Sequence, residues 1–471
     1  MQRFDDPHAG RDHVALTVEA VHAASADCAV PASQIDTLFA LRGLWPLKYP
    51  AAAIARALGV HDAHTVDVQP GILQTTVFGR ACDLVRDGKA SFVLVAGGEA
   101  KYRDLRASIA GDAVEPLVDG EPSSENWEPH GAIISPAEIA LRLVQATHHY
   151  AMIENARRAA DGQSIGAHAQ EVAELWAAFN RVGQTNTEAW NRQPMPARDI
   201  ADASPKNRPL AFPYNKWHNS QWNVDQAGAL LFTTVDQARR WGIPEHQWVY
   251  PQAIAANEHM VPVSERAEIH RSPGFALAGQ AVLNHAAREI GDVDYVDLYS
   301  CFPIAVRTQM LELAIPATRQ VTITGGMTWA GGPLNNYVIQ ALPKMVQRLR
   351  SNPGTLGLVT AISGMITKQG VSLWSTAEPA KPYHHYDVSS MASSALRRRE
   401  LVTGVEGAAT VATYTVLHDG TAGSRGVVVG DLASGQRVLA ETRNLGLMSS
   451  MEREEWIGRR VHVSADGQLS R

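Results

Sequence analysis

Three thiols, Cys28, Cys82 and Cys301, lie far apart in the chain. They form no CxxC pair, so neither a zinc clamp nor a disulfide framework is expected and no metal site is assigned. A reduced, cytoplasmic setting follows from that usage. The pairs His148-His149 and His384-His385 look like metal ligands, but adjacent side chains diverge on a helix and on a strand, so a shared ion is not expected. The sequence contains no Walker loop, no GxSxG elbow and no HExxH helix. The stretch TGGMTWAGGPLNNY, from Thr324 to Tyr337, looks like a phosphate loop. It lacks the Lys-Ser/Thr pair, and Pro333 stands where backbone donors would be wanted. Arg397, Arg398 and Arg399 run into Glu400 and read as a solvated surface. A phenol and a thiol remain, in Tyr299-Ser300-Cys301-Phe302 at the end of a short apolar run.

The elements that must position these side chains alternate. Helices are expected over Asp12–Cys28, Ala51–Leu58 and Thr75–Arg86, and strands over Ile35–Leu41 and Ser91–Ala96. The last of these is an apolar run from Phe92 to Ala96, as for a strand buried on both faces of a parallel sheet. Between about residues 112 and 223 prolines, tryptophans and histidines crowd in. Two helices stand out there, Ala137–Asp161 and Ile165–Val182, in what reads as a helical insertion. The α/β grammar then returns. It has a strand in VYPQAIA, a helix over Ser272–Ile290, a strand over Asp294–Leu298, a helix over Ile304–Leu313 and a strand over Gln320–Thr324. A helix over Asn335–Arg350 and paired strands at Leu356–Ala361 and Gly370–Ser375 follow. Both α/β stretches place a glycine after a buried strand, which suggests a duplicated fold. Lys381–Ser394 reads as a linker. Short strands at Gly407–Leu417, Gly426–Leu432, Arg437–Glu441 and Arg460–Ser464, with a helix over Ser449–Trp456, read as a small all-β barrel.

Composition bounds the partners. With 42 basic and 48 acidic residues in 471, bulk binding to nucleic acid or to an anionic membrane is disfavoured. From position 395 onward ten basic residues face nine acidic ones, so the tail offers no electrostatic footprint for nucleic acid. No apolar run approaches the roughly 18 residues of a membrane span. The opening MQRFDDPHAGRDH is polar and acidic, unlike a signal peptide.

Several segments together resemble the thiolase superfamily over nearly the whole chain. ACDLVRDGKASFVLVAGGEA at 81–100 is similar to the helix and strand that follow the thiolase nucleophile. VDLYSCFP at 296–303 stands in the place of the NEAF or HDCF motif, the 324–337 loop in that of the GHP motif, and GLVTAISG at 357–364 in that of the CxG strand. NRPLAFPYNKW at 207–217 and VDQAGALLFTT at 224–234 resemble the acetyl-CoA acetyltransferase-like group called thiolase-like protein type 1, which carries a C-terminal β-barrel. The resemblance implies an α/β fold: a duplicated αβα layered core (1–110 and 245–380), an inserted helical loop domain (111–244), a linker (381–394) and an OB-like barrel (395–471). It implies an acyltransferase of lipid metabolism that takes a CoA thioester as substrate or ligand, without a permanently bound cofactor.

The catalytic side chains do not carry over. Family spacing places the nucleophilic cysteine at Gly71, the GHP histidine at Gly332 and the CxG cysteine at Ala361. A glycine cannot hold an acyl group as a thioester, and Cys82, eleven residues further on, reads as a buried core thiol. Ordinary thiolase activity is therefore expected to be weak or absent. The backbone N–H groups of Gly71 and Ser363 fall where the family builds an oxyanion hole, and such donors survive a Cys→Gly change. Tyr299 stands where the HDCF motif has histidine and Cys301 matches its cysteine. A tyrosine there resembles the thiolase-fold retro-aldolases of steroid side-chain degradation, in which a phenol of lowered pKa could act as acid/base. Their second tyrosine falls at Gly332 here. Lys368, after the CxG-like strand, reads as an exposed turn lysine. A non-catalytic CoA-ester-binding or scaffolding subunit, as a homodimer or in a hetero-complex, is the third reading. The family opens with a strand of the type PVxIVGxGQ, and this chain begins past it. Either a start lies upstream, the favoured expectation, or the sheet has an edge or hole that another segment covers.

Overall fold

A computed structural model describes residues 1–115, 117–418, 420 and 423–470. The N-terminal half runs α1 (His13–Cys28), β1 (Thr37–Leu41), α2 (Pro50–Leu58), β2 (His64–Val68), α3 (Gln74–Arg86), β3 (Phe92–Ala100) and α4 (Lys101–Ala110). Local chemistry sets these bounds. Asp12 caps α1 by accepting from Ala15 N–H at 2.8 Å, Pro50 opens α2, and Gly59 closes it in the left-handed region at φ +72°. β1 and β3 are buried along their whole length and pair in parallel. β2 was not legible as a strand, because His64 and Asp67 interrupt its apolar pattern. All of it but His64 is buried, and Asp67 accepts from Ala51 N–H at 2.7 Å at the start of α2.

Next come β4 (Glu125–Trp127), α5 (Pro136–Ala140), α6 (Ala146–Ala160), α7 (Ile165–Thr185), α8 (Ala197–Ala201), β5 (Pro209–Ala211), β6 (Tyr214–Asn215), β7 (Asp225–Thr233) and α9 (Val235–Arg240). The helix expected over Ala137–Asp161 is two. A Ser135–Glu138 capping box opens α5, and Arg142, at φ +52°, ends it and turns the chain into α6. β7 falls inside the expected insertion, yet it returns to the first sheet as an antiparallel partner of β3. That sheet has the order β4-β2-β1-β3-β7. Among the described residues each strand of this order pairs with the next, and β7 forms one edge.

The second half holds β8 (Tyr250–Asn257), α10 (Gly274–His285), β9 (Tyr295–Asp297), α11 (Pro303–Glu312), α12 (Gly326–Trp329), α13 (Val338–Ser351), β10 (Leu356–Ser363) and β11 (Lys368–Ser375). β12 (His385–Asp387) and α14 (Ser389–Ala395) occupy the expected linker, and β12 pairs in parallel with β8. The sheet order is β12-β8-β11-β10-β9. Residues 320–324 are not a strand. Asp297 draws them in instead, its carboxylate accepting from the N–H groups of Ile323 (2.9 Å) and Thr324 (3.1 Å). The duplication is legible in the topology: α1-β1 matches α10-β9, α3-β3 matches α13-β10, and antiparallel β7 matches antiparallel β11.

The chain ends in β13 (Gly407–His418), β14 (Ser424–Leu432), β15 (Arg437–Thr442), α15 (Leu445–Arg453), β16 (Arg460–Val463) and β17 (Leu469–Ser470). The helix lies four residues earlier than expected because Asn444 caps it, accepting from Leu447 N–H at 3.0 Å. The sheet is antiparallel. Glu441 bridges to Gln468 and so brings the end of the sheet back against β15. Among the described residues no helix is long and apolar enough to cross a membrane.

Candidate functional site

β10 carries two groups of side chains, three residues apart and so roughly 10 Å along the strand. The first surrounds Gly71, two residues ahead of Leu73, the N-cap of α3. Its φ is +108°, a conformation L-residues rarely adopt, and a β-carbon there would lie 2.9 Å from Pro129 Cγ. Ser363 Oγ and Lys368 Nζ both donate to Gly71 O, at 3.2 and 3.1 Å. Ser363 and Lys368 face each other across the β10–β11 ladder. Lys368 is not an exposed turn residue: its side chain is 1% exposed and pairs with Glu258 at 3.2 Å. Thr76 on α3 donates to the other oxygen of Glu258 at 2.6 Å.

The second group surrounds Tyr299. Its N–H donates to Thr360 Oγ1 on β10 at 2.8 Å, its carbonyl accepts from Gln309 at 2.8 Å, and its ring meets that of Tyr337 edge-on at 5.6 Å. Burial pushes the Tyr299 phenol above its ordinary value, opposite to the lowered pKa expected of an acid/base residue there. It is a neutral phenol, able to donate a hydrogen bond. Cys301 is buried beside Tyr150 and is pushed up to about 12 by burial, although a hydrogen bond from Tyr150 opposes that rise. A thiol held so high is a poor nucleophile at neutral pH. The Tyr150 ring stacks on Phe302 at 4.3 Å. Tyr337 O–H reaches Asp297 at 3.0 Å and Thr324 Oγ1 at 2.7 Å.

A strap at 219–221 lies over the loop that follows. Ser220 N–H donates to Cys301 O (3.1 Å), Gln221 N–H to Met327 O (3.1 Å), and Gly332 N–H to Gln221 O (2.9 Å). A β-carbon at Gly332 would meet Ser220 Cβ at 3.0 Å. Ala361 is buried in β10 opposite Gly370. Cys82 lies buried within α3, its thiol raised by burial. The structure therefore brings Gly71 to Ser363, and Cys301 to Gly332 through Ser220.

Sequence reasoning missed Glu258, Thr76 and Tyr150 and misread Lys368. A usable signal was a charged residue directly at the end of one buried strand (Glu258 after β8) and another at the start of a second (Lys368 in β11). Their pairing spans 110 positions and needs the sheet to become visible. Among the described residues no group of three or more His, Cys, Asp or Glu side chains is placed to hold a metal ion.

Residues 391–468 match the family model described as the thiolase-like protein type 1 additional C-terminal domain. The chain is similar to the crystal structure of a monomeric SCP2-thiolase like protein type 1 from Mycobacterium smegmatis, at 26% identity and a TM-score of 0.82, over 98% of this chain and 95% of that one. It also shares its fold with an Ltp2-ChsH2(DUF35) aldolase (20% identity, TM-score 0.60, 79% of this chain, 95% of that one). An acetyl-CoA acetyltransferase from Syntrophomonas wolfei shares it as well (16%, 0.54, 79% and 94%). So does an Ascaris suum thiolase in complex with coenzyme A (14%, 0.54, 77% and 93%). No curated protein matches the chain. The resemblance to the thiolase superfamily, and to its type 1 thiolase-like group, is borne out.

Proposed function

We propose that this thiolase-like chain binds acyl-CoA thioesters between its loop region and the two halves of its core, and that ordinary thiolase chemistry is weak or absent in it. The carrying observation is Gly71. At the position the resemblance assigns to the nucleophile there is no side chain, and Pro129 packs where one would emerge. The buried, raised thiols of Cys82 and Cys301 offer no substitute. Gly332 and Ala361 supply neither the histidine nor the second cysteine that acyl transfer and its second half-reaction would use. Backbone donors at Gly71 and Ser363 remain able to polarise a thioester carbonyl. The relation to a thiolase in complex with coenzyme A supports a CoA-ester ligand. The test has two arms, acetoacetyl-CoA thiolysis and calorimetric titration with acetyl-CoA. Saturable binding with thiolysis far below that of an ordinary thiolase is expected; a thiolase-like rate would refute the reading.

A second reading is a retro-aldolase on a β-hydroxyacyl-CoA, favoured by the face-to-edge pair of Tyr299 and Tyr337 and by the aldolase with a DUF35 partner among the structural relatives. In that step the β-hydroxyl gives its proton to water, Cα–Cβ breaks to a carbonyl product and a thioester enolate that is reprotonated at Cα, and Tyr299 O–H donates a hydrogen bond to the β-oxygen as its proton leaves. Tyr299→Phe should abolish cleavage while leaving CoA-ester binding intact, and unchanged turnover would rule the role out.

A further inference from the structure

Side chains from four segments meet around one backbone carbonyl. Ser363, at the end of β10, and Lys368, at the start of β11, both donate to Gly71 O. The donors belong to the second half of the core and the acceptor to the first. The other end of that peptide is held as well, since Ile72 N–H donates to Gln69 O at 3.3 Å. Between Ser363 and Lys368 the chain turns through three successive left-handed residues, Gly364 (φ +59°), Met365 (+53°) and Ile366 (+72°). A β-branched residue in that region is strained and persists only where its surroundings fix it. Buried Arg266 does so, donating to Gly364 O at 3.1 Å. The strained turn sets a hydroxyl and an ammonium on one acceptor.

The ammonium is itself aimed. Lys368 is buried, and a buried charge is costly unless it is paired and hydrogen-bonded. Glu258, directly after β8, pairs with it, and Thr76 on α3 holds the other Glu258 oxygen. Glu258, Thr76 and Ser363 are half-exposed, so these contacts run from the surface inward to Gly71. One group at the inner end has no partner. Gly71 is buried, yet among the described residues nothing accepts from its N–H. Buried backbone donors are nearly always paired. With the following peptide pinned at both ends, the direction of this donor is set by the adjoining torsion, φ +108°, which glycine adopts readily and other residues do not.

We infer that Lys368 is a positioning residue. Held by Glu258 and Thr76, it grips the Gly71 carbonyl, and that grip keeps Gly71 N–H directed at the carbonyl oxygen of a bound acyl-CoA thioester. Ser363 O–H is the second grip. This role rests on the acyl-CoA reading above: it names the side chains that turn a residue without one into a donor of fixed direction.

Infrared difference spectroscopy of the full chain, with acetyl-CoA carrying carbon-13 at the thioester carbonyl, tests this beside calorimetry of the same complex. A hydrogen bond to that oxygen lowers the carbonyl stretching frequency, so the bound band should lie below that of free acetyl-CoA. Lys368→Met keeps the bulk of the side chain and removes its grip. It should return the band to its free position and raise the dissociation constant about three- to tenfold, with the fold intact by circular dichroism. Glu258→Gln, at a half-exposed position, leaves Lys368 in place without its ionic partner and should move the band part of the way. It decides the matter alone if Lys368→Met does not fold. A band unmoved in Glu258→Gln and in folded Lys368→Met, or an unshifted band in the unaltered complex, would overturn the role and leave acyl-CoA binding standing. Absence of saturable binding by the unaltered protein would overturn both.

Discussion

Gly71 is where side-chain chemistry and backbone geometry meet. Restoring a cysteine there is expected to fail: Gly71→Cys puts an L-residue at φ +108° and a β-carbon against Pro129. The variant should lose about 1–3 kcal/mol in urea unfolding and gain no acetoacetyl-CoA thiolysis. A fold-neutral variant with measurable thiolysis would contradict this account. The thiols can be ranked in the same way. Cys301, held near 12, carries about one thiolate in ten thousand at pH 8. Cys82 is raised further by burial, while Cys28 lies half-exposed at the end of α1. Iodoacetamide at pH 8 should modify Cys28 alone until urea unfolds the chain, as mapped by peptide mass. That a glycine, Gly71, stands at the position the resemblance assigns to the nucleophile was legible in the sequence from the spacing before Gly97-Gly98. Lys368 was not. A lysine after a strand-ending Ser-Gly reads as a turn residue, and only the Ser363–Lys368 register and the distant Glu258 reveal that it points inward.

At the scale of elements, α6, α7 and α11 are joined by a buried polar knot. Glu154 on α6 pairs with Arg307 on α11, accepts from Tyr214 O–H at 2.6 Å and contacts His168 on α7 at 2.9 Å. Burial would raise this carboxyl, but Arg307, His168 and Tyr214 outweigh it and hold Glu154 at about 2, against an ordinary 4.5. A depressed acid stabilises the fold fully above its ordinary value and loses that contribution as pH falls through its folded one. Roughly 3 kcal/mol should therefore disappear between pH 4.5 and 2. Glu154→Gln should destabilise the chain by about that much at pH 7 and flatten this acid limb; an unchanged acid limb in urea titrations would refute the assignment. The same scale explains which elements could be read from sequence. β3, apolar from Phe92 to Ala96, and capped α1 announce themselves, whereas β2, with His64 and Asp67, is a strand only because its neighbours bury it and because Asp67 has Ala51 N–H to bind.

For the whole molecule, the C-terminal sheet is not a separate bead. Leu417, Val427, Val429 and Leu439 belong to the same apolar core as the two halves, while Trp456 and Met451 anchor a smaller cluster beneath. Buried Arg437 reaches the carbonyls of Ser264 and Ala267, and buried Arg158 on α6 reaches Glu455 at 2.7 Å. The chain should therefore unfold in one transition, with far-ultraviolet circular dichroism and tryptophan fluorescence coinciding in urea. Separated midpoints would show an independent tail. Arg158→Met should lower that single midpoint, by about 1–3 kcal/mol for the unpaired partners left behind.

Those ties have a temporal side. Asn155 on α6 donates to Tyr414 O, and Met152 O accepts from Thr413, across 259 and 261 positions of sequence. At synthesis rates of roughly 5–20 residues per second, α6 leaves the ribosome on the order of 10–50 s before its partners exist. Through that interval the helix has its own ladder, and Asn155 has Phe212 O at 3.0 Å, but neither Tyr414 nor Thr413, so the nascent chain passes through a stage whose middle is finished and whose fastening has yet to be made.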